Sequence, residues 1–193
     1  FLEFLISMIL FILNILNVIN NNNSIKKITK AILHISEENL DKYKTIKILE
    51  NNELRLALKN ANREALLTQA YPLFEKLKLR NQITHFYFSD EQRTNLLRVH
   101  QPGRYGDVID RFTMLRAEHN GEISSGIELG ALGMLTLRVV APVYEDDRVL
   151  GYIELGKEVH DLLKDMSQES GNEFIITLDK RFLNRADWES GMR

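Results

Sequence analysis

The first 19 residues (FLEFLISMILFILNILNVI) are almost continuously apolar, a length just inside the range of a membrane-spanning helix. Glu3, Asn14 and Asn17 interrupt the run, and polar groups are costly in lipid. Two readings therefore stand for 1–19: a transmembrane helix or its remnant, or an oligomer-core or signal-like segment. Ile25, Ile28, Ile32 and Ile35 then recur at three-four-three spacing, the seam of a helix that packs on a partner. This stripe predicts a homodimer or higher oligomer joined through the N-terminal helices. Helical character continues from 36 to 79, with a second stripe at Leu66, Ala70, Leu73 and Leu77. Pro72 falls within it and predicts a kink or a new start.

Beyond Arg80 the period changes from helical to alternating. Strands are expected over 83–88 (ITHFYF) and 95–101 (NLLRVHQ), separated by a polar turn at 89–94 and ended by Pro102-Gly103. Asp107 is placed to cap a helix over 108–120 that stops at Gly121. Strands follow over 123–129, 134–144 and 149–155, then a helix over 159–170 ending at Gly171, then a strand over 174–178. Short turns between adjacent strands imply antiparallel pairing. The order predicts an α+β fold: a long N-terminal helix, then one mainly antiparallel sheet of about five strands with helices packed on it. The expected organisation is 1–19 apolar, 20–80 a helical lead kinked near Pro72, 81–179 the sheet domain, and 180–193 the start of a connecting segment.

Composition sharpens this division. Residues 1–52 hold no Gly, Pro or Arg, and all ten glycines lie beyond residue 100. The net charge of −2 gives no global pull toward nucleic acid, so none is expected as a partner. The absence of cysteine excludes disulfides, thiolate metal sites and cysteine nucleophiles. No HExxH, GxSxG, phosphate-binding loop or GxGxxG motif occurs, and no catalytic residue, cofactor or enzymatic activity is expected. Gly126, Gly130 and Gly133 precede a strand and read as turn or bulge positions. The five histidines lack metal-ligand spacing within any one element, so no metal site is expected.

The informative chemistry is cationic and lies inside apolar strands. Arg98 and His100 share a strand face with Leu96, and Arg138 interrupts the run LTLRVVA. An arginine buried there needs a carboxylate. Arg111 sits just past a loop containing Arg104 and Tyr105. Two readings stay open. One is internal pairing, Arg138 with Glu128 or Glu154 and Arg111 with Asp107 or Asp110. The other is an anion pocket on one face of the sheet, with bidentate arginine contacts to a ligand.

The runs LLRVHQPGRYGDVIDRFTMLRAEHNG and GIELGALGMLTLRVVAPVYEDDRVLGYIELGKEV, with the tail FIITLDKRFLNRADW, resemble the double Cache family of bacterial sensor domains. The resemblance covers about residues 60–192; residues 1–52 match only in being helical. It implies a PAS-like extracytoplasmic domain of a chemoreceptor, sensor histidine kinase or diguanylate cyclase, held in the inner membrane by the N-terminal helix. It also implies a small-molecule pocket near Arg98, His100, Tyr105, Arg111, Arg138 and Tyr144, which lie in the matching segments. The function expected is ligand sensing, the ligand a carboxylate or other small anion, with a displacement passed through a dimer of long helices. The alternative is a structural dimerisation domain without a ligand.

Overall fold

The computed structural model describes residues 51–130 and 134–177, with residues 179 and 181. The apolar segment 1–19, the isoleucine stripe, the lead up to residue 50 and nearly all of 180–193 lie outside the described residues.

Helix α1 (Asn52–Lys59) starts where Asn51 accepts hydrogen bonds from the backbone N–H groups of Glu53 and Leu54, which offsets two of the unpaired donors of a first turn. Leu54, Ala57 and Leu58 bury its inner face. The helix stops at Asn60, and Ala61 takes a positive φ of 48°. Asn62 then caps a second helix, α2 (Arg63–Asn81), through the N–H of Ala65. The break between the helices thus falls at 60–62, and Pro72 lies inside α2 without ending it. The buried face of α2 is Leu66, Ala70, Phe74 and Leu77, so Phe74 takes the place the sequence pattern gave to Leu73.

Strands β1 (His85–Ser89), β2 (Asn95–Arg98), β3 (Ser124–Leu129), β4 (Leu135–Glu145) and β5 (Arg148–Glu158) form one antiparallel sheet in the order β2-β1-β5-β4-β3. β2 and β3 are therefore the two edges. The chain between them crosses one face of the sheet as a loop and helix α3 (Phe112–Asn120). Helix α4 (Val159–Ser170) ends at Gly171 in the left-handed region, as the sequence predicts. The α+β expectation and the five-stranded antiparallel sheet hold.

Beyond shifts of up to three residues at the ends of β1 and β5, three departures from the sequence pattern matter. Helix α3 begins at Phe112 with Arg111 at its N-cap position, not at Asp107. Asp107 is drawn away by the guanidinium of Arg98, and the chain from 107 to 111 stays extended, bridging Thr94 through Val108. β2 ends at Arg98, which leaves His100 in the turn beyond it. Residues 174–177 are not a strand, and Ile175 is 86% exposed. A short apolar run becomes a strand only where a neighbour supplies the ladder.

The register sorts side chains onto two faces. On one, Tyr87 stands opposite Arg98 and Glu154, Glu154 opposite Val140, and Gly156 opposite both His85 and Arg138. Helix α3 covers this face through an apolar cluster of Ile109, Met114, Ala117, Val140 and Tyr152. Gly126 on β3 lets the helix come close: a Cβ there would sit 3.2 Å from Thr113 Cγ2. The opposite face carries Phe86, Phe88, Leu97, Val139, Ala141, Ile153 and Leu155, all buried. Helices α1 and α2 pack on β5 and β2 and cover it.

One glycine is fixed by contact. Gly151 in β5 has a φ of +152°, and a Cβ would lie 2.3 Å from the carbonyl oxygen of Ser89. Gly151→Ala is expected to cost at least about 2 kcal/mol, since backbone must move. Gly103→Ala, with open space around it, should change stability by less than about 0.5 kcal/mol. Urea unfolding of both variants measures the difference.

Candidate functional site: a three-arginine cluster around Tyr87

Tyr87 is buried at the centre of the polar face, and three guanidiniums surround its ring. The central carbons of Arg98, Arg111 and Arg138 lie 5.2, 5.5 and 5.7 Å from its centroid, within the range of cation–π attraction. Each arginine arrives from a different element: Arg98 from edge strand β2, Arg138 from β4, and Arg111 from the N-terminus of α3. Like charges gather this closely only with compensation. It comes from Glu154 and Glu128 at the centre and Asp107 at the side.

Glu154, on β5, is fully buried. It accepts from Arg138 Nη1 at 2.5 Å, and both its oxygens accept from Arg111 Nη2 at 2.5 Å. Glu128, on β3, accepts from the N–H of Thr113 at 2.6 Å and from Thr113 Oγ1 at 3.0 Å. It thereby caps α3, whose own N-cap side chain makes no capping bond. Its Oε2 lies 3.5 Å from Arg111 Nε and 3.7 Å from Arg138 Nε, and these two buried nitrogens have no hydrogen-bond partner. Arg98 makes a forked pair with Asp107, at 2.7 and 2.6 Å, and also donates to Asn95 Oδ1 and the carbonyl of Arg104. The Arg98 guanidinium holds the Asp107 carboxyl below its usual range.

Two imidazoles complete the cluster. His85 stacks parallel to Tyr87 with centroids 6.0 Å apart, and His100 meets Tyr87 at 5.0 Å and His85 at 4.8 Å, edge to face. The N–H of Phe86 points at His100 Nδ1 across 3.2 Å, which requires that nitrogen to carry no proton. Burial, with Arg138 next, pushes His85 down to about 3. Burial lowers His100 to about 4. Both are neutral at neutral pH, so three cations face three anions in the folded domain.

Of the six positions expected to line a pocket, the structure brings Arg98, His100, Arg111 and Arg138 together on one face. It does not bring the two tyrosines with them. Tyr105 is 55% exposed and lies beneath Arg63, whose guanidinium carbon is 3.4 Å from the ring centroid. Tyr144 donates its hydroxyl to the carbonyl of Gly121 at 2.9 Å, which fastens the end of α3 to β4. The internal pairing of Arg138 with Glu154 and Glu128 is realised. Arg111 turns to the same two glutamates in place of Asp107 or Asp110. Sequence reasoning missed Tyr87 and His85. Their signal was the alternation in HFYF, which sets both on one face and the two phenylalanines on the other.

The sheet order and the helix crossing one face define a PAS-like fold. Residues 20–187 match the family model described as "Double sensory domain of two-component sensor kinase", and the chain belongs to that double Cache family. No curated protein matches this sequence. Among solved structures, the E. coli DcuS sensor domain is similar at 23% identity and a TM-score of 0.52, covering 63% of this chain and 87% of that one. A domain of a putative sensory box/GGDEF family protein from Vibrio parahaemolyticus is similar at 20% identity and a TM-score of 0.54, covering 82% and 73%. The V. cholerae histidine kinase DctB sensor domain has 19% identity and a TM-score of 0.50, covering 72% and 57%. The domain is sensory and is not the catalytic part of a receptor. Among the described residues no helix is long and apolar enough to cross a membrane, and no His, Asp and Glu group could hold a metal.

Two predictions follow from the cluster's charges. Glu154→Ala leaves Arg138 buried without its closest carboxylate and is expected to cost about 3–5 kcal/mol. Breaking the exposed pair of Lys59 and Glu145 by Lys59→Ala should cost far less, because solvent screens that pair; chemical unfolding compares the two. The histidines set a pH dependence. The unfolded chain binds protons on both imidazoles near pH 6.5, whereas the folded chain does not until about pH 4 or below. Stability is therefore full above pH 6.5 and falls as the pH drops toward 4, with a slope up to about 1.4 kcal/mol per pH unit for each histidine. His100→Gln should flatten that profile, as read by unfolding midpoints between pH 4.5 and 7.5.

Proposed function

We propose that the cluster around Tyr87 is the ligand pocket of an extracytoplasmic sensor, and that its ligand is a small molecule bearing a carboxylate or similar anionic group. The observation that carries this reading is the convergence of Arg98, Arg111 and Arg138 on one aromatic ring, beside two neutral imidazoles. Guanidinium forks and uncharged imidazole N–H groups are suited to holding a carboxylate. The pocket's cover is the loop after β2 and the start of α3, which carry Asp107 and Arg111. The positive φ of Gly106 (89°) marks a turn in that loop which only glycine adopts without strain. A ligand that favours one arrangement of this cover shifts the packing of sheet and helices, provided it binds that arrangement more tightly. The signal then passes along the N-terminal helices of a dimer anchored in the inner membrane. The output module of the whole receptor is a chemoreceptor, kinase or cyclase unit.

A second reading has an observation in its favour. Every guanidinium in the cluster already has a carboxylate partner, the arrangement expected of a structural dimerisation domain with no ligand. A thermal-shift screen against organic acids and amino acids separates the two. A ligand at ~100 times its dissociation constant stabilises by about 2.7 kcal/mol. Arg111→Ala removes one ligand contact while Arg138 still compensates Glu154, so the variant should fold and lose the ligand-induced shift. A screen without a hit favours the structural reading, and a hit that Arg111→Ala leaves unchanged moves the site elsewhere.

A further inference from the structure

Resting on the pocket reading above, we propose that Glu128 occupies the seat of the ligand's carboxylate, and that binding exchanges one carboxylate for the other. Four donors define this seat: the N–H and hydroxyl of Thr113, in the first turn of α3, and the Nε atoms of Arg111 and Arg138. Glu128 uses only the first two at full strength, at 2.6 and 3.0 Å. The other two lie 3.5 and 3.7 Å from its Oε2 and are left without a hydrogen bond, although Arg138 is 97% buried, being 3% exposed. A buried donor left unpaired is costly, so a free carboxylate able to sit deeper gains what Glu128 forgoes.

The backbone explains why Glu128 falls short. It stands on edge strand β3, whose register with β4 pairs Glu128 with Thr136, and the strand's ladder fixes how far its side chain reaches. A small carboxylate has no such tether. The helix N-terminus adds attraction for either anion. Exchange has a mechanical result, because Glu128 is also the cap of α3. Its departure passes the cap to the ligand and removes one tie between edge strand and helix, while Arg116 still holds Ser124 and Ser125, so the seat reports occupancy through the N-terminal end of α3.

Removing the tethered carboxylate should open the seat to a free one. The test is thermal unfolding of the wild-type domain and Glu128→Ala in sodium acetate, in glycine, and in sodium chloride at matched ionic strength. Acetate or glycine should raise the melting temperature of the variant several degrees beyond chloride while moving the wild type little. A response to acetate alone marks a plain acid as the fitting class, and one to glycine alone an α-amino acid. Glu128→Gln serves if the alanine variant does not fold: it keeps the bond to Thr113, lacks the charge, and should also respond more than wild type. Variants that respond no more than the wild type overturn the exchange. If the organic acids of the screen still act through Arg111, the pocket stands and only the exchange falls. If the screen is silent yet the variants respond to acetate, the seat stands and the sensor reading falls.

Discussion

A carboxylate at the middle of a β-sheet, fully removed from water, is the constraint on which the rest of this domain depends. Glu154 lies on the central strand between Tyr87 and Val140, and a charge there is tolerable only if it is paired and hydrogen-bonded. Arg138 supplies the first partner from the adjacent strand. Arg111 supplies the second, and it can do so only if the chain crosses from β2 over the sheet and begins a helix at residue 112. The placement of α3 and the extended path before it thus follow from an electrostatic requirement as much as from the apolar cluster of Met114, Ala117 and Tyr152.

The two sides of the sheet use different physics. The side under α1 and α2 is built from phenylalanine, leucine, isoleucine and valine, and its stability comes from apolar area withdrawn from water. The side under α3 mixes one apolar cluster with a balanced set of charges. Such a set adds little net stability over an apolar replacement, but it holds few arrangements, because each guanidinium accepts only certain partners at certain angles. One face fixes the fold by apolar burial, and the other by pairing its charges.

Much of this organisation was legible in the sequence. The change of period near residue 80, the glycines at 121 and 171 and the turn at 145–148 place most elements of the sheet domain. The in-strand arginines at 98 and 138 mark the polar face, because a charge within an apolar run must find a partner. What stayed hidden depends on contacts distant in sequence. Asp107 reads locally as a helix cap, and only the fold shows that Arg98 outcompetes the helix for it. The tyrosines at 105 and 144 look like pocket residues by proximity in the chain, yet Arg63 and the carbonyl of Gly121 take them. The apolar run FIIT at 174–177 reads as a strand, but among the described residues no strand pairs with it to complete a ladder.

Tyr144 holds a further consequence. Its side chain is bound to the C-terminal end of α3, and its backbone carbonyl accepts from Arg55 Nη2 of α1. The neighbouring Glu145 is bound by Lys59 of the same helix. The tip of the β4–β5 hairpin is therefore a common anchor for two helices on opposite sides of the sheet. The two helices are thus joined around the rim by two hydrogen bonds that meet at one residue, independently of the apolar layer between them.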